Sequence, residues 1–493
     1  MRKNVWFVVA LCSCGFVSCG TAQELTYPLV ATGQVLCYDI NGEVIDAPQQ
    51  GEELFGQDGN YQAGLPMLYK DNGDGTVTDL NTGLTWEQTP NGGPVTWAEA
   101  QQYCEQLSLG GYGDWRLPTL KELFSISDFS AGWPYLDTNY FHLTTQGRVD
   151  KDEQYWAQEK YVGETVEGRN NAAFGVNHAT GHIKAYPAGA SLEQQGEGGR
   201  GNMPRPQGAD TSRMSRQGPG GQGMQAQGPP TSGGRENMNQ AGGPQAGGPP
   251  RGEGRDSLAM ANGRQAQGPP TSGGRENMNQ AGGPPQMGGP QNQAGGPQMD
   301  GAQAGGPQMM GNPMQKRVRA VRGDVYGENN YVDNGDGTIT DKATGLMWAQ
   351  SDNGKGIEWG EAMQYAESSQ LAGYSDWRLP NVKELQSIVD YAYSPSSNDF
   401  KPAIDPMFNS TPIKNEAGDD DFGYCWTSTS ALFRKGSPFY FAWYVAFGRA
   451  VNNQGNDMHG AGAVRFDSKS DNGMAVEGGE ERYYNFVRLV REP

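Results

Sequence analysis

A gapless internal duplication constrains this chain more than any other feature of its sequence. Residues 71–128 align with residues 333–390 at a constant offset of 262, and 35 of the 58 positions are identical. The first copy begins DNGDGTVTDLNTGLTW and ends GYGDWRLPTLKELFSI, and the second begins DNGDGTITDKATGLMW and ends GYSDWRLPNVKELQSI. Such self-similarity indicates one folding module used twice.

Each copy has the local pattern of an α+β module. In the first copy, Asn-Gly and Asp-Gly turns precede residues 76–78, which is typical of a β-hairpin. Apolar residues then recur at helical spacing from Trp97 to Leu107, with Thr96 as an N-cap and Glu99 three residues later. A second helix is predicted after Thr119. The sequence therefore predicts an α+β fold with two related modules.

A long tract of biased composition separates parts of this pattern. Residues 190–315 contain no aromatic residue and no Lys, and Gly, Pro, Gln, Asn and Met dominate. A segment of this composition cannot bury enough apolar surface to fold, so it is predicted to be disordered. Its glycines keep no three-residue period, which excludes a collagen triple helix.

The sequence on the far side of this tract places it inside the first module. The chain ends in the alternating sequence VRLVR at residues 487–491, and the similar VRAVR at residues 318–322 follows the tract directly. We therefore expect residues 317–322 to be the closing strand of module one. The predicted boundaries are a signal peptide at 1–22, an extension at 23–66, module one at 67–190 plus 316–323, an insert at 191–315, and module two at 331–493.

The N-terminus has the layout of a secretory signal. Arg2 and Lys3 precede an apolar run that ends near Val17, and small residues follow. Two forms of export are open. Val17, Ser18 and Cys19 resemble a bacterial lipobox that would lipidate Cys19, whereas the following residues also fit ordinary signal-peptidase cleavage. The expected location is the outer membrane as a lipoprotein, the cell surface or the periplasm, with the membrane contacted only through the N-terminal lipid.

Net charge and cysteine content limit the possible partners and the number of disulfides of the protein. A net charge of -19 argues against a nucleic-acid partner. The folded part retains Cys37, Cys104 and Cys425, and an odd number of cysteines cannot all pair within one chain. At most one disulfide is therefore expected, and its pairing stays open.

Several segments of both copies resemble one known family. The patterns DNGDGTxTD, TGLxW, WxxAxxY, DWRLPxxKEL and the terminal xVRxVR resemble the C-terminal domain family of Legionella collagen-like proteins, and TGQVLCYDINGEVIDA resembles the extension that often precedes such domains. More distantly, WAEAQQYC followed by RLPTLKEL is similar to formylglycine-generating enzymes and C-type-lectin-like folds. The resemblance implies two C-type-lectin-like modules and an adhesin that binds polysaccharides.

The sequence departs from this family in its cysteines and in its charge. The family commonly pairs a cysteine at the position of Cys104 with one in the last strand, but Ala320 and Leu489 stand at the strand positions, and Ala366 replaces Cys104 in module two. The net charge of -19 also works against capture of a sulfated polyanion.

No metal or cofactor site is expected. The acidic residues of DNGDGTVTD are close together, but they lack the spacing of a calcium loop, so a hairpin turn is the better interpretation. His178 and His182 lie four residues apart, as helical zinc ligands do, but Thr180 and Gly181 between them indicate a turn. The tryptophans of DWRLP, Trp115 and Trp377, are expected in the core, and the adjacent charged residues Asp114, Arg116, Asp376 and Arg378 are expected to form structural ion pairs.

Candidate binding residues lie where the two copies diverge, in a long loop region. Aromatic rings beside amides and carboxylates are what a carbohydrate site needs. In module one such residues are Trp133, Tyr135, Trp156, Asn177 and His178. In module two, Trp426 lies in this region, and the candidate ligand-binding residues are Asp419, Asp420, Asp421, Trp443, Tyr444, Arg449, Asn452 and Asn453, with Trp443 or Tyr444 as the ring on which a sugar stacks.

The sequence thus favours an exported, non-enzymatic binding protein, a carbohydrate or extracellular-matrix adhesin whose partner is a glycan or surface polymer. A passive surface spacer or display protein is an alternative. A third alternative is an enzyme similar to the formylglycine-generating enzymes, with Cys425 as the one thiol in a long-loop position.

Overall fold

The computed structural model describes residues 25–90, 92–144, 153–167, 170–189, 314–432, 434–471 and 482–493. The predicted signal peptide with Cys19, and the predicted insert up to residue 313, lie outside these residues. Within the described part of the chain, no helix is long and apolar enough to cross a membrane.

The extension contributes three short elements ahead of module one. They are β1 (Cys37–Tyr38), β2 (Val44–Ile45) and α1 (Asp58–Tyr61). The two strands pair antiparallel.

The described residues of module one form seven strands and two helices. In chain order these are β3 (Tyr69–Asp71), β4 (Thr76–Asp79), β5 (Thr85–Glu87), α2 (Trp97–Gln106), α3 (Leu120–Ser125), β6 (Gln154–Lys160), β7 (Ala172–Asn177), β8 (Ile183–Pro187) and β9 (Val321–Arg322).

Module two repeats this order and adds a hairpin. Its elements are β10 (Tyr331–Asp333), β11 (Thr338–Asp341), β12 (Leu346–Ala349), α4 (Trp359–Ser368), a 3₁₀ turn (Leu371–Gly373), α5 (Val382–Ser387), β13 (Pro412–Lys414), β14 (Asp420–Phe422), β15 (Tyr424–Ala431), β16 (Phe441–Ala446), β17 (Val464–Ser468) and β18 (Val490–Arg491). The described part of the chain is thus α+β and rich in sheet.

The DNGDGT segment forms the turn between β3 and β4. Asp71 Oδ1 accepts a hydrogen bond from Gly73 N at 2.8 Å, and Asp74 Oδ1 accepts one from the Thr76 hydroxyl at 2.6 Å. Gly73 and Gly75 have φ values of 75° and 86°, a conformation that favours glycine. These acidic side chains stabilise a turn, and no group of residues in the described ranges is arranged to hold a metal ion.

The helices begin where the sequence predicts. Thr96 accepts a hydrogen bond from Glu99 N, and the Glu99 side chain returns to Thr96 N, so α2 begins with a capping box. Thr119 and Glu122 do the same for α3. In module two the corresponding cap of α5 is Asn381 with Glu384.

Residues that follow the predicted insert complete the first sheet of module one. Val321 of β9 pairs with Trp86 of β5, in the order β3-β4-β5-β9. In module two, Val490 of β18 pairs with Trp348 in the same way, in the order β10-β11-β12-β18. The closing strand of module one is therefore β9, which follows the predicted insert in the sequence.

A buried arginine accompanies each closing strand. The Arg319 guanidinium donates to the carbonyl oxygens of Glu87, Gln88 and His142 at 2.6 to 2.9 Å. Arg488 likewise donates to the carbonyl oxygens of Ala349, Gln350 and Asn409 at 2.7 to 3.1 Å. Both side chains are fully buried, so the VRxVR pattern supplies hydrogen-bond donors to loop carbonyls inside the fold.

The two modules share one sheet. Its strand order is β15-β16-β17-β8-β7-β6, so three strands from each module join where Val464 of β17 pairs with Ile183 of β8. One apolar core runs through both modules, and both belong to one compact unit. Met314 N also donates to Pro187 O at 3.0 Å, so the described residues on either side of 190–313 lie next to each other. A tract whose two ends meet in module one cannot act as a spacer between the modules.

Ion pairs of the duplicated DWRLPxxKEL segment tie a helix to the closing strand. Arg116 binds Glu122 of α3 through two hydrogen bonds of 2.6 Å, and Asp114 binds Arg322 of β9 at 2.8 and 3.0 Å. These are structural ion pairs, as expected, although the partners lie elsewhere in the module. The equivalents in module two are Arg378 with Glu384 and Asp376 with Arg491.

Candidate functional site in module two

The two rings predicted to stack on a sugar lie in the core. Trp443 is 0% exposed, and its ring makes edge contacts with Phe129, Tyr135 and Phe466. Tyr444 is 4% exposed and stacks on Tyr424 at 4.8 Å. A sugar can stack only on an accessible ring face, so the prediction that Trp443 or Tyr444 is the stacking platform is wrong.

Asp421 and Arg449 also have a structural role. The Asp421 carboxylate accepts hydrogen bonds from Arg449 N and Nε, both at 3.0 Å, and from Phe422 N at 2.9 Å. Asp421 is 1% exposed, so its carboxylate is not accessible to a ligand. The pair fixes the β13–β14 hairpin to the loop after β16.

The remaining predicted residues are brought together on the surface by two polar turns. Asn415 Oδ1 accepts hydrogen bonds from Ala417 N and Asp419 N, both at 3.0 Å, which shapes the β13–β14 turn. Asn452 Oδ1 accepts from the backbone N of residues 454 and 456 in the second turn. The turns touch, because a Cβ atom on Gly455 would lie 2.3 Å from Ala417 Cβ.

The result is an exposed polar surface. Asp419, Asp420 and Asn453 are exposed, and Asn452 is partly exposed. Asp420 also pairs with the exposed Lys414 at 2.8 Å. Exposed carboxylates and amides of this kind can hydrogen-bond hydroxyl pairs of a ligand. We call Asp419, Asp420, Asn452 and Asn453 the paired-turn surface.

A cleft of about 440 Å³ lies beside the paired-turn surface and shares its first turn. Arg482 forms a bidentate ion pair with Glu416 at 2.6 and 2.7 Å, and its guanidinium lies 3.8 Å from the centre of the Tyr424 ring. Tyr484 lines the same cleft and is 55% exposed. Sequence reasoning missed Tyr484, although it stands next to the terminal strand and outside the duplicated segment. The remaining lining residues are Ile413, Lys414, Asn415, Gly423, Tyr483, Asn485 and Phe486.

The module-one candidates are mostly buried. Trp156, Tyr135 and His178 are fully buried and Asn177 is nearly so, while Trp133 is partly exposed. Burial lowers the pKa of His178 to about 3, so its imidazole is neutral at physiological pH. Trp426 is also fully buried, and its indole N–H donates to Ile357 O at 2.9 Å. All of these side chains except that of Trp133 are therefore buried in the fold.

The three cysteines of the folded part are free thiols. Cys37, Cys104 and Cys425 are all buried. Burial raises the pKa of Cys37 to about 11 and those of Cys104 and Cys425 to about 12. Such thiols are protonated at neutral pH and are poor nucleophiles.

A second cleft, of about 690 Å³, lies between the modules. Glu159, Lys121 and Lys160 of module one line it on one side, and Asp390 and Tyr391 of module two line it on the other. Burial raises the pKa of Glu159 to about 7 and lowers that of Lys121 to about 8. None of these residues was a sequence-based candidate. Also in the lining are Thr119, Val325, Tyr326, Gly327, Glu328, Asn329, Tyr331, Val389, Ala392 and Asp405.

Comparison with known proteins identifies both modules. The sequence model of the Lcl C-terminal domain matches residues 75–194 and residues 337–467, and each match begins four residues inside one copy of the duplication. No curated protein and no solved structure matches the chain at a significant level.

Proposed function

The chain belongs to the Lcl C-terminal domain family, a family of collagen-like surface proteins, and on this premise we propose that it is an exported, non-enzymatic adhesin that binds an extracellular saccharide. The site is the paired-turn surface of module two together with the adjoining Tyr484 cleft. The partner is an extracellular glycan or another polyhydroxylated surface polymer, and the protein reaches the membrane only through a lipid on Cys19.

One observation carries the choice of site. Tyr484 is 55% exposed at the edge of a cleft, and the opposite wall of this cleft leads into the turn that displays Asp419 and Asp420. A ring face for a pyranose and planar polar groups for its hydroxyls are the two components of a saccharide site. Tyr484 thus takes the role that the sequence assigned to Trp443 or Tyr444.

The charge of the site favours a neutral saccharide over a sulfated one. Asp419 and Asp420 stand exposed in a protein of net charge -19, while Arg482 is already paired with Glu416. A polyanion would meet repulsion at this surface. The same charge argues against nucleic acid as a partner.

Two finer proposals accompany this function. The modules are C-type-lectin-like, which is supported by the helix and loop sequences WAEAQQYC and RLPTLKEL and by the α+β architecture. The protein is not an enzyme of the formylglycine-generating type, which is supported by the burial of Cys425 and the raised pKa of its thiol.

The test is retention of the full mature chain on a glycan array. We expect weak binding to one class of neutral glycan that requires multivalent display, because one stacked ring and a few hydrogen bonds contribute about 1 to 3 kcal/mol. Tyr484→Ala should lower retention at least about tenfold, and Asn453→Ala should lower it less. Tyr365→Ala is the matched control, because Tyr365 is 40% exposed on α4 and lies outside the cleft.

The alternative of a passive spacer or display protein makes the opposite prediction. A spacer binds no glycan at any density of display. If multivalent protein is retained on no glycan of the array, the adhesin hypothesis is rejected in favour of the spacer hypothesis. Binding that survives Tyr484→Ala would keep the adhesin but remove this site.

A further inference from the structure

The cleft between the modules is the counterpart of a groove that is already filled. The duplication pairs Thr119 with Asn381 and Lys121 with Lys383. Glu159 corresponds to Thr429, because Glu159 accepts a hydrogen bond from Leu120 N at the start of α3 and Thr429 accepts one from Val382 N at the start of α5. Lys160 and Ser430 are the next residues of the respective strands.

In module two this groove holds the N-terminal extension. Lys383 Nζ donates to Ala31 O at 2.9 Å, and Asn381 Nδ2 donates to Ala63 O at 3.2 Å. The Gln34 side-chain amide accepts a hydrogen bond from Ser430 N at 2.8 Å and donates one to Ser430 O at 3.0 Å. A segment around residues 31–34, with Gly33 at a φ of 84°, is therefore held by these residues.

The opposite wall of the filled groove also has a counterpart in the open one. Phe129 N of module one donates to Thr32 O of the extension at 2.8 Å. Phe129 follows the duplicated segment directly, and at the same offset of 262 it corresponds to Tyr391, which lines the open cleft together with its neighbours Asp390 and Ala392. Both walls that hold the extension on one side of the molecule are thus present on the other side, where they border a cleft of about 690 Å³.

One substitution between the two grooves reverses the chemistry required of the occupant. In the filled groove, the Thr429 hydroxyl donates to Asp58 Oδ2 at 2.6 Å, and the Thr32 hydroxyl donates to the same oxygen at 2.7 Å. In the open groove, the carboxylate of Glu159 stands in place of the Thr429 hydroxyl. A second carboxylate at the position of Asp58 would be repelled there, whereas a cationic side chain would be attracted.

Acidic side chains outnumber basic ones in the lining of the open cleft. Four acidic side chains line it, those of Glu159, Glu328, Asp390 and Asp405, against the two basic side chains of Lys121 and Lys160. Lys121 already donates to Gly327 O at 3.1 Å and to Asn329 Oδ1 at 2.6 Å. The ammonium of Lys160 lies 4.6 Å from the centre of the Trp97 ring. The cleft therefore offers unbalanced negative charge.

We propose that this cleft is a docking groove for a short polypeptide segment of a partner protein, with a lysine or arginine side chain directed at Glu159. The backbone of the segment lies as residues 31–34 lie in the filled groove. The extension of a second copy of this chain does not fit, because its Asp58 would face Glu159. This groove is separate from the paired-turn surface, so its occupancy does not depend on saccharide binding.

The filled groove supplies the design of the probe. Because Thr32 and Thr429 contact the same oxygen of Asp58, a longer side chain at the position of Thr32 would reach the position of Thr429, and hence that of Glu159 in the open groove. The probe is a fluorescein-labelled peptide with the sequence of residues 28–35 and the change Thr32→Lys. Peptides with Thr32→Glu and with the unchanged sequence are its controls.

Fluorescence polarisation with the full mature chain measures binding. We expect the Lys peptide to bind at least about fivefold more tightly than the Glu peptide, since a charge-assisted hydrogen bond replaces a repulsion. Glu159→Gln keeps an oxygen for Leu120 N and should weaken the Lys peptide at least about fivefold. The matched control Glu105→Gln, an exposed residue of α2 outside the cleft, should leave its binding unchanged.

Three outcomes would overturn the proposal. The first is equal affinity for the Lys and Glu peptides, and the second is equal behaviour of Glu159→Gln and Glu105→Gln. The third is a neutral oligosaccharide that binds in a Glu159-dependent manner while the Lys peptide does not, which would make the cleft a sugar site. Asp390→Asn on the opposite wall is a second, independent test in case the Glu159 variant misfolds. This variant should also weaken binding of the Lys peptide.

Discussion

Removing residues 190–313 and joining Gly189 to Met314 should leave a folded protein. Pro187 O already accepts a hydrogen bond from Met314 N at 3.0 Å, so the junction would create a four-residue turn with Ala188 and Gly189 at its centre. Gly189 has a φ of 80°, which is the value that the third residue of a type II turn requires. The deletion therefore needs little rearrangement of the described structure.

The deletion should also raise stability. The composition of residues 190–313 predicts disorder, and the closure entropy of a disordered loop grows with the logarithm of its length. Replacing them by a two-residue turn reduces this cost by about 4 kcal/mol at most. We expect the free energy of unfolding to rise by up to that amount, measured in urea by tryptophan fluorescence.

A longer deletion provides the control. Removing residues 190–322 also takes away β9, its pairing with Trp86 and the buried Arg319, so this variant should unfold or aggregate. If the shorter deletion is insoluble, the two chain ends do not meet as described. If the longer deletion is as stable as the full chain, residues 317–322 are not the closing strand of module one.

Three further predictions rest on the structure, and a fourth rests on the N-terminal sequence. Proteolysis within residues 190–313 should leave two fragments that co-elute in gel filtration, because β9 pairs with β5, and a folded N-terminal fragment that elutes alone would contradict this pairing. Trp443→Ala should lower the free energy of unfolding by about 3 to 5 kcal/mol, because the ring is fully buried, and an unchanged thermal transition would restore Trp443 as a surface residue. Burial raises the pKa of Asp58 to about 6, so the contribution of this carboxyl to stability is present below about pH 4 and is lost as the pH rises through about 6. Relative to the wild type, Asp58→Asn should therefore gain about 3 kcal/mol between these pH values in urea titrations. Finally, wild type but not Cys19→Ser should incorporate labelled palmitate, and equal labelling would exclude the lipid anchor.

Local signals in the sequence were sufficient for the elements of each module. The helix starts at Thr96 and Thr119 are encoded within four residues, by a hydroxyl and a glutamate that cap each other. The turn at residues 71–76 is equally local, because its side chains bond to its own backbone. Interactions of this range are readable without knowledge of the rest of the chain.

The shared sheet could not be predicted in this way. The pairing of β8 with β17 joins residues far apart in sequence, and an exposed strand edge carries no code for its partner. The burial of Trp443 is a different case. The sequence FAWYVA at residues 441–446 is a continuous apolar run, which is typical of a strand covered on both faces, and this signal would have placed Trp443 in the core.

The two modules differ at the position of the proposed saccharide cleft. Isolated bridges pair Lys316 with Val95 in module one and Asn485 with Ile357 in module two, so Gln315 corresponds to Tyr484. Gln315 is exposed but offers no ring face for a sugar. The tract of residues 190–313 ends just before Gln315 in the sequence. Module one therefore has the end of this tract at the sequence position where module two has Arg482, which lines the cleft together with Tyr484. Saccharide binding should therefore be confined to module two, and Gln315→Tyr alone should not create a second site, because module one lacks a counterpart of the β13–β14 hairpin among its described strands.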